Sequence, residues 1–370
     1  MRTKLLVGVA ALFGLALVAS ACVAETSGQQ LAESAGLGLV GSQAPRLVLG
    51  TVNGDTIDLG ALYGKKAVYL KLWATWCVPC REQMPHFQHV YETAGADLAV
   101  IAINIGFNDS VEEVQAYRSK VGITMPVVFD ADGHIGAALK LRVTPQHIVI
   151  GRDGRIQYVG HLADQRLDAA LVSARTADTV TAETGAKAAS TATGVRAVKV
   201  GDVLPAQSVD LLNGRPFALS DPRGREPTVL VFLSPWCESY LSTTRPIVAA
   251  NCRAARRQIT AHATAHGVRW LGVASGLWIT LEDLQKYRSE YHVTIPLTLD
   301  ASSALFRTFG VNDVPTFVVL DATGRVSERI ESGNRHGLEK ALRGLRSRAA
   351  KQTAAIRPAF ANSAERKAAG

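Results

Sequence analysis

Cysteine is scarce in this chain, with five in 370 residues. Only one pair, Cys77 and Cys80, has the Cys-x-x-Cys spacing, and that excludes a zinc site built from two such pairs. His86 and His89 could complete a Cys2His2 set, but they read as surface residues of the helix that carries the cysteines, so no metal site is expected. The net charge is +8, yet lysine and arginine are scattered, so no nucleic-acid site is read. No apolar run suits a membrane span. Leu5 to Val18, the longest candidate, is too short to cross a bilayer comfortably.

That short run belongs to something else. Met1 to Lys4 is basic, and small residues follow the apolar stretch at Ala19-Ser20-Ala21. This is a secretory signal over 1–24. A small triplet ending at Cys22 also fits a lipoprotein signal over 1–21, with a lipid on Cys22, although Ala19 stands where leucine is usual. With either ending the protein leaves the cytosol for the periplasmic side, and its cysteines face an oxidising compartment.

The chain is organised around Trp73-Ala-Thr-Trp76-Cys77-Val-Pro-Cys80. Ala67 to Trp73 is apolar and rich in strand formers, while Arg81 to Tyr91 reads as one helix. The cysteines therefore sit where a strand ends and a helix begins. Free N–H groups there favour a thiolate, which makes Cys77 the attacking sulfur and Cys80 the one that resolves a mixed disulfide. A purely structural disulfide is the bland alternative.

Trp76-Cys-Val-Pro-Cys-Arg-Glu-Gln-Met-Pro85, with Val143-Thr144-Pro145 before the strand Gln146–Ile150, resembles the TlpA/ResA-like thiol–disulfide oxidoreductases of the thioredoxin superfamily. The resemblance covers roughly 41–172. It implies that Pro145 is cis and packs beside the cysteines, and that Thr144 offers backbone to an extended substrate. Two positions depart from the family. Lys71 stands six residues before Cys77, where a carboxylate or asparagine is usual. Gln83 stands three residues after Cys80, where many members keep a glutamate. A lysine near the pair would favour thiolate, and a missing carboxylate would weaken proton relay to Cys80.

The rest of the chain follows a strand–helix alternation. Residues 25–40 read as a tether, 41–173 as the first domain, and 174–199, rich in Ala, Thr, Ser and Gly, as a flexible linker. The pattern then returns. Asn53-Gly54 recurs as Asn213-Gly214 and Trp76-Cys77 as Trp236-Cys237, at a spacing of 160. Pro126 recurs as Pro296 and Pro145 as Pro315, at a spacing of 170. This internal repeat predicts an α/β chain of two tandem thioredoxin-like folds, each a central mixed sheet flanked by helices. The second domain is expected over 200–346 and a disordered tail over 347–370.

The second domain is incomplete: Tyr240 stands at the position of Cys80. Its only other thiol is Cys252. On one continuous helix Cys237 and Cys252 would lie about 22 Å apart at ~1.5 Å per residue, too far to pair. Pro246 could break that helix and bring them together, so the sequence leaves the pairing open.

Three functions are weighed. The first is an exported reductase of protein disulfides acting through Cys77 and Cys80, without cofactor. The resemblance implies clients such as apocytochrome c or copper-site proteins, and electrons from a membrane thiol carrier. The second is a peroxiredoxin-like peroxidase using Cys237. Ser234 suits that reading, but Leu230 stands where peroxiredoxins carry a proline. The third makes the second domain, derived from an oxidoreductase, a module that binds or orients a partner.

Overall fold

The computed structural model describes residues 27–176 and 196–345, apart from 222, 264–266 and 335. The signal, Cys22, most of the linker and the tail lie outside the described residues. Those described form two compact units, the first mainly from residues up to Arg196 and the second mainly from Ala197 onward.

In the first unit, β1 (Val48–Gly50) and β2 (Thr56–Asp58) pair as an antiparallel hairpin around Asn53-Gly54. Gly54 takes a φ of 92°, where a side chain would be strained. A five-stranded mixed sheet follows, in the order β5-β4-β3-β6-β7. Its central strand β3 (Ala67–Trp73) runs parallel to β4 (Leu98–Asn104) and antiparallel to β6 (Gln146–Ile150). The outer strands are β5 (Val127–Phe129) and β7 (Ile156–Gly160). All seven residues of β3 are buried, which is why it reads as one apolar run broken only by Lys71.

The helices are α1 (Leu59–Leu62), α2 (Val78–Glu82), α3 (Met84–Glu92), α4 (Val111–Val121), α5 (His134–Ala138) and α6 (Gln165–Thr176). Ser110 and Glu113 form a capping box at the start of α4. The single helix expected over Arg81–Tyr91 is two. Pro85, the second residue of α3, has no N–H to donate and crowds the carbonyl four residues back, so the chain re-initiates at Gln83. The tether expected over 25–40 also differs. Residues 27–36 are helical, and Leu31 and Ala32 are buried in a cluster with Val143, ahead of the Thr144–Pro145 peptide. Apolar residues on one helix face override a composition that reads as a spacer.

The second unit repeats this plan. Its hairpin is β8 (Ser208–Asp210) with β9 (Pro216–Ala218). Its sheet runs β12-β11-β10-β13-β14, from β10 (Thr228–Leu233), β11 (Arg269–Ser275), β12 (Leu297–Asp300), β13 (Thr316–Leu320) and β14 (Val326–Ile330). Even the irregularity recurs: the register shift at Val149/Ile150 reappears at Val319/Leu320. The helices named below are α7 (Cys237–Thr244) and α8 (Pro246–His262). Both units are thioredoxin-like folds. No helix among the described residues is long and apolar enough to cross a membrane.

Candidate active site

The turn after β3 is held from below. The Asp109 carboxylate accepts the Thr75 N–H at 2.8 Å, the Thr75 hydroxyl at 2.5 Å and the Asn104 side-chain amide at 2.8 Å. Trp76 turns inward and donates its indole N–H to the Phe107 carbonyl at 2.6 Å. Cys77 is thereby placed as the N-cap of α2, its sulfur accepting the Cys80 N–H at 3.2 Å. The two cysteines are joined in a disulfide with Cα atoms 5.2 Å apart. On reduction, that N–H stands ready to stabilise a Cys77 thiolate.

The second wall is the loop before β6. The Thr144–Pro145 peptide is cis, and the Thr144 carbonyl oxygen lies 3.3 Å from Cys77 Sγ. His161 Nδ1 lies 2.8 Å from the Pro145 carbonyl. A carbonyl can only accept, so Nδ1 carries the proton and His161 pins the loop against the cysteines.

Behind the disulfide lies a buried polar chain. Lys71 is fully buried, with its ammonium 5.3 Å from the Phe87 ring centroid and donating to the Cys80 carbonyl at 3.4 Å. Burial with so little compensation lowers it to about 7. Lys71 is therefore not the permanent cation expected from the sequence but an amine that titrates near neutrality, beside Cys80. Across the ladder it pairs with His147. Gln83 donates its amide to the His161 carbonyl at 3.3 Å, which leaves its oxygen to accept from His147 Nε2 at 2.8 Å. His147 Nδ1 then accepts the Tyr69 hydroxyl at 2.8 Å. Burial, reinforced by the Lys71 charge, holds His147 well below the ordinary histidine range, so the ring is neutral and each nitrogen has one role. Glu82, one position from Gln83, is exposed, whereas Gln83 reaches the network. His86 meets Asp168 at 3.2 Å.

The second unit places its candidates differently. Cys237 opens α7 after β10. The chain breaks at Arg245, with φ −141° and ψ 64°, and Pro246 starts α8. The turn brings Cys252 back to Cys237, and the two form a disulfide with Cα atoms 6.2 Å apart. The Val314–Pro315 peptide is cis. The polar chain is absent here. Val231 and Phe317 face each other across the ladder as Lys71 and His147 do in the first unit.

A thioredoxin-like fold with a Cys-x-x-Cys disulfide at the head of a helix defines a thiol–disulfide oxidoreductase. The chain belongs to the Redoxin family, which it matches twice, over residues 39–174 and 199–344. It is 33% identical over 135 residues to the thiol-disulfide oxidoreductase ResA of Halalkalibacterium halodurans, covering 36% of this chain and 75% of the relative. It is 32% identical over 117 residues to ResA of Bacillus subtilis, covering 31% of this chain and 64% of that relative. Among solved structures, a DsbF homologue from Corynebacterium diphtheriae is 28% identical with a TM-score of 0.33, over 36% of this chain and 88% of its own.

Sequence reasoning missed Tyr69, His147 and His161. All three lie in or beside strands that read as apolar runs. The one signal was Lys71, which faces His147 across the ladder, since a lysine in a buried strand demands polar company.

Proposed function

We propose that this protein is an exported reductase of protein disulfides, acting through Cys77 and Cys80. The reading rests on one arrangement: Cys77 at the head of α2, its sulfur bonded by the Cys80 N–H and lying 3.3 Å from the Thr144 carbonyl. In the reduced protein the Cys77 thiolate attacks one sulfur of a client disulfide and expels the other as a thiolate. Cys80 then attacks Cys77 Sγ, releasing the reduced client and closing the 77–80 disulfide. Two electrons pass to the client, and a thiol carrier on the membrane restores the pair. Thr144 and the cis Pro145 align the client backbone, while Trp76, Lys71 and Gln83 support the thiols.

The clients are protein disulfides, with apocytochrome c or copper-site proteins as the classes to try first. Export is supported by the N-terminal pattern, and a lipid on Cys22 would keep the protein at the membrane. The two domains run over 41–173 and 200–346, and the second helps hold the partner. Cys77→Ser should abolish insulin disulfide reduction, while Cys237→Ser should leave most of it. Cys80→Ser should strand clients as mixed disulfides on Cys77. Equal loss of activity in the Cys77 and Cys237 variants would sink this assignment.

A further inference from the structure

The second unit has lost its Cys-x-x-Cys, yet its remaining cysteines have found each other, and their surroundings are not those of an inert staple. Cys237 occupies the place of Cys77 after the central strand, one step further into its helix. Cys77 is the N-cap of α2, whereas Cys237 is the first residue of α7 behind the N-cap Trp236. Both cysteines are fully buried. Its N–H donates to the Ser234 carbonyl at 3.0 Å. The Ser234 hydroxyl, 5% exposed, has no hydrogen-bond partner among the described residues. A buried donor without an acceptor costs about 1–3 kcal/mol, so such groups call for an explanation. A thiolate released from Cys237 within the same turn would supply that acceptor.

The other cysteine is followed on its helix by arginines. Arg253 and Arg256 follow Cys252 on α8 and both reach Glu238, the residue after Cys237. Arg256 does so through two hydrogen bonds of 2.6 and 3.1 Å, and Arg253 at 3.8 Å. Two guanidinium groups against one carboxylate leave a net positive charge, which favours a thiolate. The same ion pair ties α7 to α8 independently of the sulfurs, so the helices have a second tie if the S–S bond opens. A shallow groove runs over the same helix, lined by Asn251, Ala255 and Gln258 of α8, by Pro315 and by Phe317 of β13; neither cysteine lines it.

We propose that Cys237–Cys252 is a second thiol–disulfide exchange centre, one that accepts two electrons from protein dithiols. A client thiolate attacks Cys252 Sγ, the less buried of the two cysteines. The Cys237–Cys252 bond breaks and Cys237 leaves as a thiolate in the first turn of α7. The client's second thiol, deprotonated, attacks its own sulfur in the mixed disulfide. The client disulfide forms, Cys252 leaves, and the two client protons end on Cys237 and Cys252. The pair ends as two thiols and the client as a disulfide, so the pair is the oxidant. This is the reverse of the direction assigned to the first site.

The test uses the wild-type full-length protein in native glutathione buffers of graded redox poise, followed by alkylation and mapping of each cysteine by mass spectrometry. Cys237 and Cys252 should open together and reversibly, at a more oxidising poise than Cys77 and Cys80, with the circular dichroism of the fold unchanged. A Cys77→Ser/Cys80→Ser protein should then oxidise a reduced dithiol peptide, one disulfide per chain. That activity should fall to the uncatalysed rate when Cys237→Ser is added. If native Cys237 and Cys252 stay paired in excess dithiothreitol and open only on unfolding, the pair is a structural staple and the proposal is overturned. Because each pair is mapped separately, that outcome leaves the assignment of Cys77 and Cys80 untouched.

Discussion

Lys71 is the residue where this chain departs most from what a buried strand tolerates. Its amine is lowered to about 7 by burial, against an ordinary value near 10.4. Below about pH 7 the folded and unfolded chains both hold the proton, and the folded state carries the full cost of a buried ammonium. Between pH 7 and about 10.4 only the unfolded chain binds it, so stability should climb with pH by up to about 1.4 kcal/mol per unit. Lys71→Met keeps the length of the side chain and removes the charge. The variant should be more stable than the parent by about 1–4 kcal/mol near pH 6, the gap closing toward pH 10. Denaturant titrations at both ends of that range measure it, and no gain near pH 6 would mean that the surrounding groups already compensate the ammonium. Its amine donates to the Cys80 carbonyl at 3.4 Å, so its titration changes the charge beside that cysteine.

At the scale of elements, the two helices α7 and α8 replace what a continuous helix would have been. Beyond the disulfide they are joined by the Arg256–Glu238 pair, whose carboxylate side chain is only 11% exposed. Arg256 also stacks on the Tyr291 ring at 4.5 Å. Arg256→Ala would leave a mostly buried carboxylate with only the 3.8 Å contact to Arg253. We expect a loss of about 1–3 kcal/mol, read as an earlier unfolding midpoint at unchanged slope. A loss within ±0.5 kcal/mol would assign the helix pairing to the disulfide alone. Strands, hairpins and the repeat were legible because their signals are local: period, turn dipeptides and spacing. The Cys77–Cys80 motif was legible for the same reason, since Trp76, Cys77 and Cys80 fall within one short stretch. What was not legible depends on direction in space. Pro246 marks a break but not the way the chain turns, so the pairing of Cys237 with Cys252 stayed open. Tyr69, His147 and His161 meet only once three separated strands lie side by side. The helix at 27–36 hid in a composition of small residues, whose apolar face matters only when Val143 is there to receive it.

For the whole molecule, one fold is used twice with different sulfur arithmetic. Cys77 and Cys80 close a loop with a sequence separation of 3, Cys237 and Cys252 one with a separation of 15. In the chain-entropy account the second loop constrains the unfolded state by about 3 kcal/mol and the first by roughly half that. Reduction should therefore loosen the two units unequally. Hydrogen exchange of the full-length protein, resolved along the chain, separates them without cutting it. With reductant present, protection of β10 and β13 should fall by about 100-fold and that of β3 and β6 by about 10-fold, the first figure matching ~3 kcal/mol at 1.4 kcal/mol per decade. Equal losses, or a larger loss in β3 and β6, would contradict the loop argument. The expected asymmetry bears on how the units can work. The first pair opens and closes at small cost to its own scaffold, as repeated turnover requires. The second changes the stability of its unit each time it opens, so its redox state is coupled to how firmly that unit is folded.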